Sequence, residues 1–230
     1  MRASRIAQQK LHFAIVLGLT RTAGPPFPAN LGARVGEFVA KAILNRGHSV
    51  DIINPIVEDL PLLQKPQFAY ASGDSPAVLN SLAMRLTDAH GYVMITPEYN
   101  HSPSPALLNL LNHFGSSIFS FKPSAIVSYS AGQWGGTRAA HSLRPVLSEL
   151  GCLPVSAMIH VPKAQEAFSA EGLVLHEKEA ERWDSYAGRT LSQLKWWAEA
   201  AKEQRAHVNP YGESPPLRKT PAQRNAPNLV

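Results

Sequence analysis

The sequence predicts an α/β fold organised around a parallel sheet, and three observations carry that expectation. Short runs such as His12–Leu17 and Tyr92–Ile95 are almost entirely apolar, as strands buried on both faces are. Between the strands, apolar residues recur at helical spacing, as in Val35, Phe38, Val39, Ala42 and Ile43. Strands and helices alternate, which right-handed crossovers wind into a parallel sheet with its ligand outside the carboxyl ends of the strands.

In chain order, His12–Leu17 supplies the first strand and ends at Gly18, after which a loop rich in Gly and Pro leads into the first helix. Asn45, Arg46 and Gly47 close that helix, glycine being the residue that tolerates the left-handed turn past a last helical turn. Val50–Ile53 is the second strand, and Pro55–Pro76 is too interrupted by proline for regular structure. Leu79, Leu82, Ala83 and Leu86 mark the second helix, Tyr92–Ile95 the third strand, and Leu107, Leu110, Leu111 and Phe114 a short helical stripe. Ala125–Ser128 is the fourth strand, followed by a helix whose buried face is Ala140, Leu143, Leu147 and Leu150. Val155–Ile159 is the fifth strand, and Trp183, Ala187, Leu191 and Leu194 stripe a last helix.

A chain of 230 residues fits one core with tails. Residues 1–10 form a basic extension, 11–206 the domain, and 207–230 a Pro-rich tail expected to be disordered. The net charge of +5 arises in those tails: Arg2, Arg5 and Lys10 contribute +3, and Arg205, Arg218, Lys219 and Arg224 against Glu213 contribute another +3. Residues 11–204 therefore carry −1, which removes the electrostatic case for a nucleic-acid-binding core. Cys152 is the only cysteine, so an intrachain disulfide or a Cys-rich metal site is excluded, and a reducing, cytoplasmic setting is expected with Cys152 as a buried thiol. The first twenty residues have a leader-like pattern, with a basic start, an apolar run from Leu11 to Leu19, and no acidic residue before Glu37. That run is needed as the first core strand, and no other apolar run approaches the length that spans a bilayer.

Three loops fall at the carboxyl ends of the strands. The first, from Gly18 to Asn30, joins a strand to a helix N-terminus, whose unpaired N–H groups and partial positive charge stabilise a phosphate; Thr20 and Arg21 add a hydroxyl and a guanidinium. There is no Gly-x-Gly-x-x-Gly and no Walker lysine, which argues against a dinucleotide fold and a P-loop nucleotidase. In the second loop, Pro97 fixes a turn while Glu98, Tyr99 and Asn100 offer the polar and aromatic mixture that a flat heterocycle needs. In the third, Ser130 precedes Gly132, Gly135 and Gly136, which let backbone approach a ligand, and Trp134 offers a face or lid.

These residues resemble the NAD(P)H-dependent FMN reductases, a family that includes quinone and chromate reductases. Thr96-Pro97-Glu98-Tyr99-Asn100-His101-Ser102 is similar to the family's T-P-E-Y-N-x-S, and Ser130-x-Gly132-x-x-Gly135-Gly136-x-Arg138 to its S-x-G-x-x-G-G-x-R. The likeness spans roughly residues 12–162 and departs in the first loop, where Leu19 replaces a serine and Ala23–Pro28 are inserted. What the resemblance implies is a flavodoxin-like three-layer fold with a five-stranded parallel sheet in the order 2-1-3-4-5. It implies an FMN site built from Thr20, Arg21, Asn30, Pro97–Asn100, Ser130, Gly132, Trp134, Gly135 and Gly136, with no catalytic side chain and no metal. Hydride would pass from NADPH or NADH through FMN to a quinone, free flavin or similar small-molecule acceptor, in a homodimer or homotetramer with neither nucleic acid nor membrane as partner. The competing reading is a non-enzymatic flavoprotein, an electron carrier or redox sensor; a hydrolase lacks a Gly-x-Ser-x-Gly elbow.

Overall fold

In the computed structural model, which describes residues 10–213, β1 (His12–Leu17) sits near the middle of a parallel sheet. It is flanked by β2 (Ser49–Ile53) and β3 (Gly91–Pro97), and the order continues through β4 (Lys122–Tyr129) to β5 (Cys152–Pro154), with β6 (Ile159–Val161) also paired to β4. The predicted order 2-1-3-4-5 is what the structure shows. β3 and β4 are buried along their whole lengths, as strands covered on both faces must be.

The side chains of β1 alternate between two cores. Phe13, Ile15 and Leu17 meet α1 (Leu31–Leu44), through Val35, Val39 and Ile43, and α7 (Ala180–His207), through Ala187, Leu191 and Leu194. Ala14 and Val16 face α2 (Ala77–Asp88), α3 (Pro105–His113) and α5 (Thr137–Glu149), which bury the leucine stripes read from the sequence. Between those helices lie two short ones, α4 (Ser116–Phe119) and α6 (Ala164–Ala167). The apolar run from Leu11 to Leu19 lies in the core, with Leu11 1% and Leu19 3% exposed.

One expectation is corrected. The fifth strand, expected at Val155–Ile159, is instead two segments with a break over 155–158. Side chains from helices replace the missing ladder there: Arg144 Nη2 donates to the carbonyls of Val155 and Ser156 at 2.8 Å each, and the Ala157 amide donates to Gln193 Oε1 at 2.9 Å. α7 runs to His207 and α8 (Pro210–Glu213) follows it. Tyr211 docks α8 on the body, its hydroxyl donating to the Ser117 carbonyl at 2.6 Å and its ring meeting Phe121 edge-on. The rest of the expected tail, 214–230, lies outside the described residues, as do residues 1–9 of the expected N-terminal extension.

The proline-interrupted stretch 55–76 carries only one short 3-10 turn, Gln67–Ala69. Arg85 ties it to the sheet by bidentate bonds to Asp51 at 2.7 and 2.8 Å and a bond to Glu58 at 2.6 Å. The loop is pinned a second time by α3: Asn109 Nδ2 and His113 Nε2 each donate to the Pro61 carbonyl, at 2.8 and 2.9 Å.

Candidate flavin site

At the carboxyl ends of β1, β3 and β4, the three loops converge on one cleft of about 260 Å³. Its walls include Leu19, Arg21, Asn30, Gly32, Pro97, Glu98, Tyr99, Tyr129, Ser130 and Ala131. Larger cavities of about 500 and 640 Å³ exist, but they lie between α1 and α7 and beside β5, and neither borders these loops. Chemistry rather than size singles out the smaller cleft.

The first loop leaves β1 with no room for a side chain at Gly18, where a Cβ would lie 2.7 Å from Ser104 Oγ and 2.8 Å from the Ile95 carbonyl. Leu19 turns into the core, whereas Thr20 and Arg21 are exposed. Arg21 lines the cleft and its guanidinium donates to the Pro25 carbonyl across the inserted segment. Asn30 starts α1 in left-handed conformation, φ 58°, with no capping bond from its side chain. Its Oδ1 is buried without a protein partner.

Thr96 and Ser104 shape the second loop. The Ser104 amide donates to Thr96 Oγ1 at 3.0 Å, and Ser104 Oγ accepts from the Leu107 amide at 3.2 Å, capping α3. Between them Tyr99 and Ser102 exchange both backbone bonds, 3.1 and 3.0 Å, around Asn100 and His101, whose φ of 49° and 66° match a primed two-residue turn. Asn100 is therefore an exposed turn residue, and its side chain is absent from the cleft wall. Glu98, by contrast, is only 7% exposed at its side chain, and its carboxylate accepts from Arg138, the guanidinium at 2.5 Å and the amide at 3.2 Å. Since Arg138 lies in the first turn of α5, this pair clamps the second loop to the third.

In the third loop the glycines separate. Gly135 and Gly136 have φ of 60° and 77°, and a Cβ on Gly136 would lie 2.9 Å from the Tyr129 carbonyl. Both are buried where α5 starts against β4 and β6, so sterics of the fold account for them. Gly132 faces open space, with no atom within 4 Å of where a methyl group would sit, and Trp134 is 61% exposed; neither lines the cleft. Beneath the loop, the Ser128 hydroxyl donates to the Gly135 carbonyl at 2.7 Å, so His160 Nδ1, 2.8 Å away, must be the donor to Ser128 Oγ. Burial, reinforced by His141 and Arg189, pulls the His160 pKa down.

Of the residues singled out by sequence, the cleft gathers Arg21, Asn30, Pro97, Glu98, Tyr99 and Ser130. It leaves out Thr20, Asn100, Gly132, Trp134, Gly135 and Gly136. Leu19, Leu31, Gly32, Tyr129 and Ala131 escaped sequence reasoning. Tyr129 directly precedes Ser130, so extending the third loop back to the end of its strand would have found it. Cys152 is fully buried and its thiol is pushed up to about 12 by desolvation, which leaves it a packing residue.

Observations inside the cleft fit FMN. The buried Asn30 Oδ1 is an acceptor that a ribityl hydroxyl satisfies, or a donor if the amide is turned over, and it stands at a helix N-terminus suited to a phosphate. Pro97, Tyr99, Ser130 and Ala131 line the same space, an apolar and polar mixture suited to a flat ring.

Comparison with known proteins agrees with this chemistry. The family model for NADPH-dependent FMN reductases matches residues 23–166. An NAD(P)H-dependent FMN reductase of Pseudomonas aeruginosa is 32% identical over 139 residues, 59% of this chain and 72% of that protein. An NADPH azoreductase of a Bacillus species is 33% identical over 112 residues, 49% of this chain and 60% of that one. A quinone reductase of Escherichia coli is 32% identical over 96 residues, 40% and 50% of the two chains, so this chain spans only half to three-fifths of these last two relatives. Among solved structures, a flavoenzyme NAD(P)H:(acceptor) oxidoreductase from Paracoccus denitrificans superposes with a TM-score of 0.64 at 22% identity, covering 83% of this chain and 98% of that one; it supports the fold. Matched over more than half its length, this chain belongs to the NADPH-dependent FMN reductase family, whose chemistry is FMN-dependent oxidoreduction with NAD(P)H.

Proposed function

We propose that the three-loop cleft is the FMN site and that the protein reduces small-molecule acceptors of the quinone or flavin class with NAD(P)H. The observation that carries this is the convergence of an orphaned buried Asn30, a helix N-terminus and the Pro97–Tyr99 and Ser130–Ala131 walls at one point of the sheet. When bound, FMN supplies reversible two-electron chemistry, accepting hydride from a nicotinamide and returning it to an oxidant.

The protein's part is binding and orientation. Arg21 and the first amides of α1 would offset phosphate charge, while Pro97, Tyr99, Ser130 and Ala131 would hold the ring. The Glu98–Arg138 clamp fixes the separation of those walls. Trp134, exposed beside the third loop, offers an aromatic face to whichever of nicotinamide and acceptor occupies the cleft mouth. With no side-chain acid or base required, both substrates use the same space in turn. Assembly as a homodimer or homotetramer and a cytoplasmic location belong to the same proposal; the exposed Leu153 and Trp197 on one apolar groove support the first and the unpaired Cys152 thiol the second. Among the described residues, no helix is long and apolar enough to cross a membrane.

Steady-state kinetics of FMN-loaded protein with NADPH and a benzoquinone test the reading. Parallel double-reciprocal lines, with Trp134→Ala changing Michaelis constants while FMN stays bound, are expected. Intersecting lines that require both substrates bound at once would contradict it.

A further inference from the structure

In the first loop Leu19 is turned into the core, 3% exposed, and the exposed Thr20 is not part of the cleft wall. A phosphate at the start of α1 therefore finds no side-chain hydroxyl from β1's own loop in the cleft wall. Another hydroxyl occupies that neighbourhood. Tyr129, the last residue of β4, reaches under α1 so closely that a Cβ on Gly32 would lie 2.5 Å from Tyr129 Oη. Gly32 is the second residue of α1, so the phenol ends in the first helical turn, where unpaired amides favour an anion.

Tyr129 is 7% exposed, lines the cleft, and among the described residues no hydrogen bond to its hydroxyl is found. A buried phenol ordinarily finds a partner. Asn30, which lines the same cleft at the start of α1, has its Oδ1 buried without a protein partner, so polar groups from two different elements border one space. Burial pushes the Tyr129 pKa up, the nearby Tyr99 adds to this and Arg21 opposes it, so the phenol keeps its proton and acts as a donor. Arg21 lines the same cleft as the phenol.

We propose that the Tyr129 hydroxyl is a hydrogen-bond donor to the FMN phosphate, making β4 a contributor to the phosphate cradle. The inference rests on the flavin reading of the cleft and assigns one residue within it. The Gly32–Tyr129 pairing then has a cause: the helix gives up a side chain to seat the phenol.

Riboflavin, which lacks the phosphate, separates this from every other way of losing flavin. Apo protein and Tyr129→Phe are titrated with FMN and with riboflavin by fluorescence quenching, with near-ultraviolet circular dichroism showing that both fold. Removing one hydrogen bond to a charged group should weaken FMN binding roughly tenfold or more and leave riboflavin binding unchanged. Equal weakening of both ligands, unchanged FMN affinity in the variant, or a parent that binds both ligands alike would overturn the assignment. A parent that binds neither would overturn the flavin reading itself.

Discussion

The Glu98 carboxylate uses both oxygens inside the protein, one on the Arg138 guanidinium and one on the Arg138 amide. Arg138→Met strips the charged partner from a carboxylate that is 7% exposed, and a loss of about 1–3 kcal/mol in urea unfolding of the apo protein is expected, with Glu98→Gln milder because its amide still accepts. Asp51 carries a different signature. The hydrogen bonds from Arg85 hold its carboxyl below the ordinary range despite partial burial. The unfolded chain therefore takes up this proton at higher pH than the folded one. Its stabilisation is complete above the ordinary aspartate pKa of about 4 and is lost as pH falls through the lower folded value. Asp51→Asn should flatten the fall of urea midpoint below that pH; an unchanged slope would show that the pair contributes nothing. At this scale the sequence exposed Glu98, Tyr99 and Ser130, because polar groups following core strands are conspicuous. It concealed Tyr129 and Gly32, since a tyrosine ending a strand reads as core and the glycine's reason lies in a side chain from another strand.

Elements were legible where one face of a run decides its burial. β1 falls at the residues expected, and β3 and β4 extend beyond their apolar centres because strand pairing continues through Thr96, Pro97 and Lys122. The fifth strand differs from the expectation for a physical reason: Val155–Ile159 looks like a core run, but Arg144 of the preceding helix donates to two of its carbonyls and Gln193 of α7 accepts from the Ala157 amide. The third loop shows the same limit. Three glycines look alike in sequence, yet only Gly135 and Gly136 sit at positive φ against neighbouring strands. Gly136→Val should cost about 2–4 kcal/mol in unfolding of the apo protein, combining backbone strain with a collision at the Tyr129 carbonyl. Gly132→Ala, into open space, should change stability by no more than about 0.5 kcal/mol. Equal effects would mean that the loop is held in some other way.

For the whole molecule, both faces of the sheet are covered by helices, and every loop assigned to the cofactor emerges at one end of it. The family match covers residues 23–166, so it takes in Ala23–Pro28 and leaves out β1 and the Thr20–Arg21 pair. Near the end of the described residues, polar composition hides a docking tyrosine, Tyr211. Ending the chain after Glu213 should leave the thermal midpoint within about 1 °C, whereas ending it after Ala206 removes Tyr211 from Ser117 and Phe121 and should lower it by several degrees. The most direct test of the central claim is an anaerobic NADPH titration of FMN-reconstituted protein followed by its visible spectrum. One flavin per chain, bleached by one equivalent of NADPH and restored by one equivalent of quinone, is predicted; failure to retain FMN, or a retained flavin that NADPH does not bleach, would contradict it.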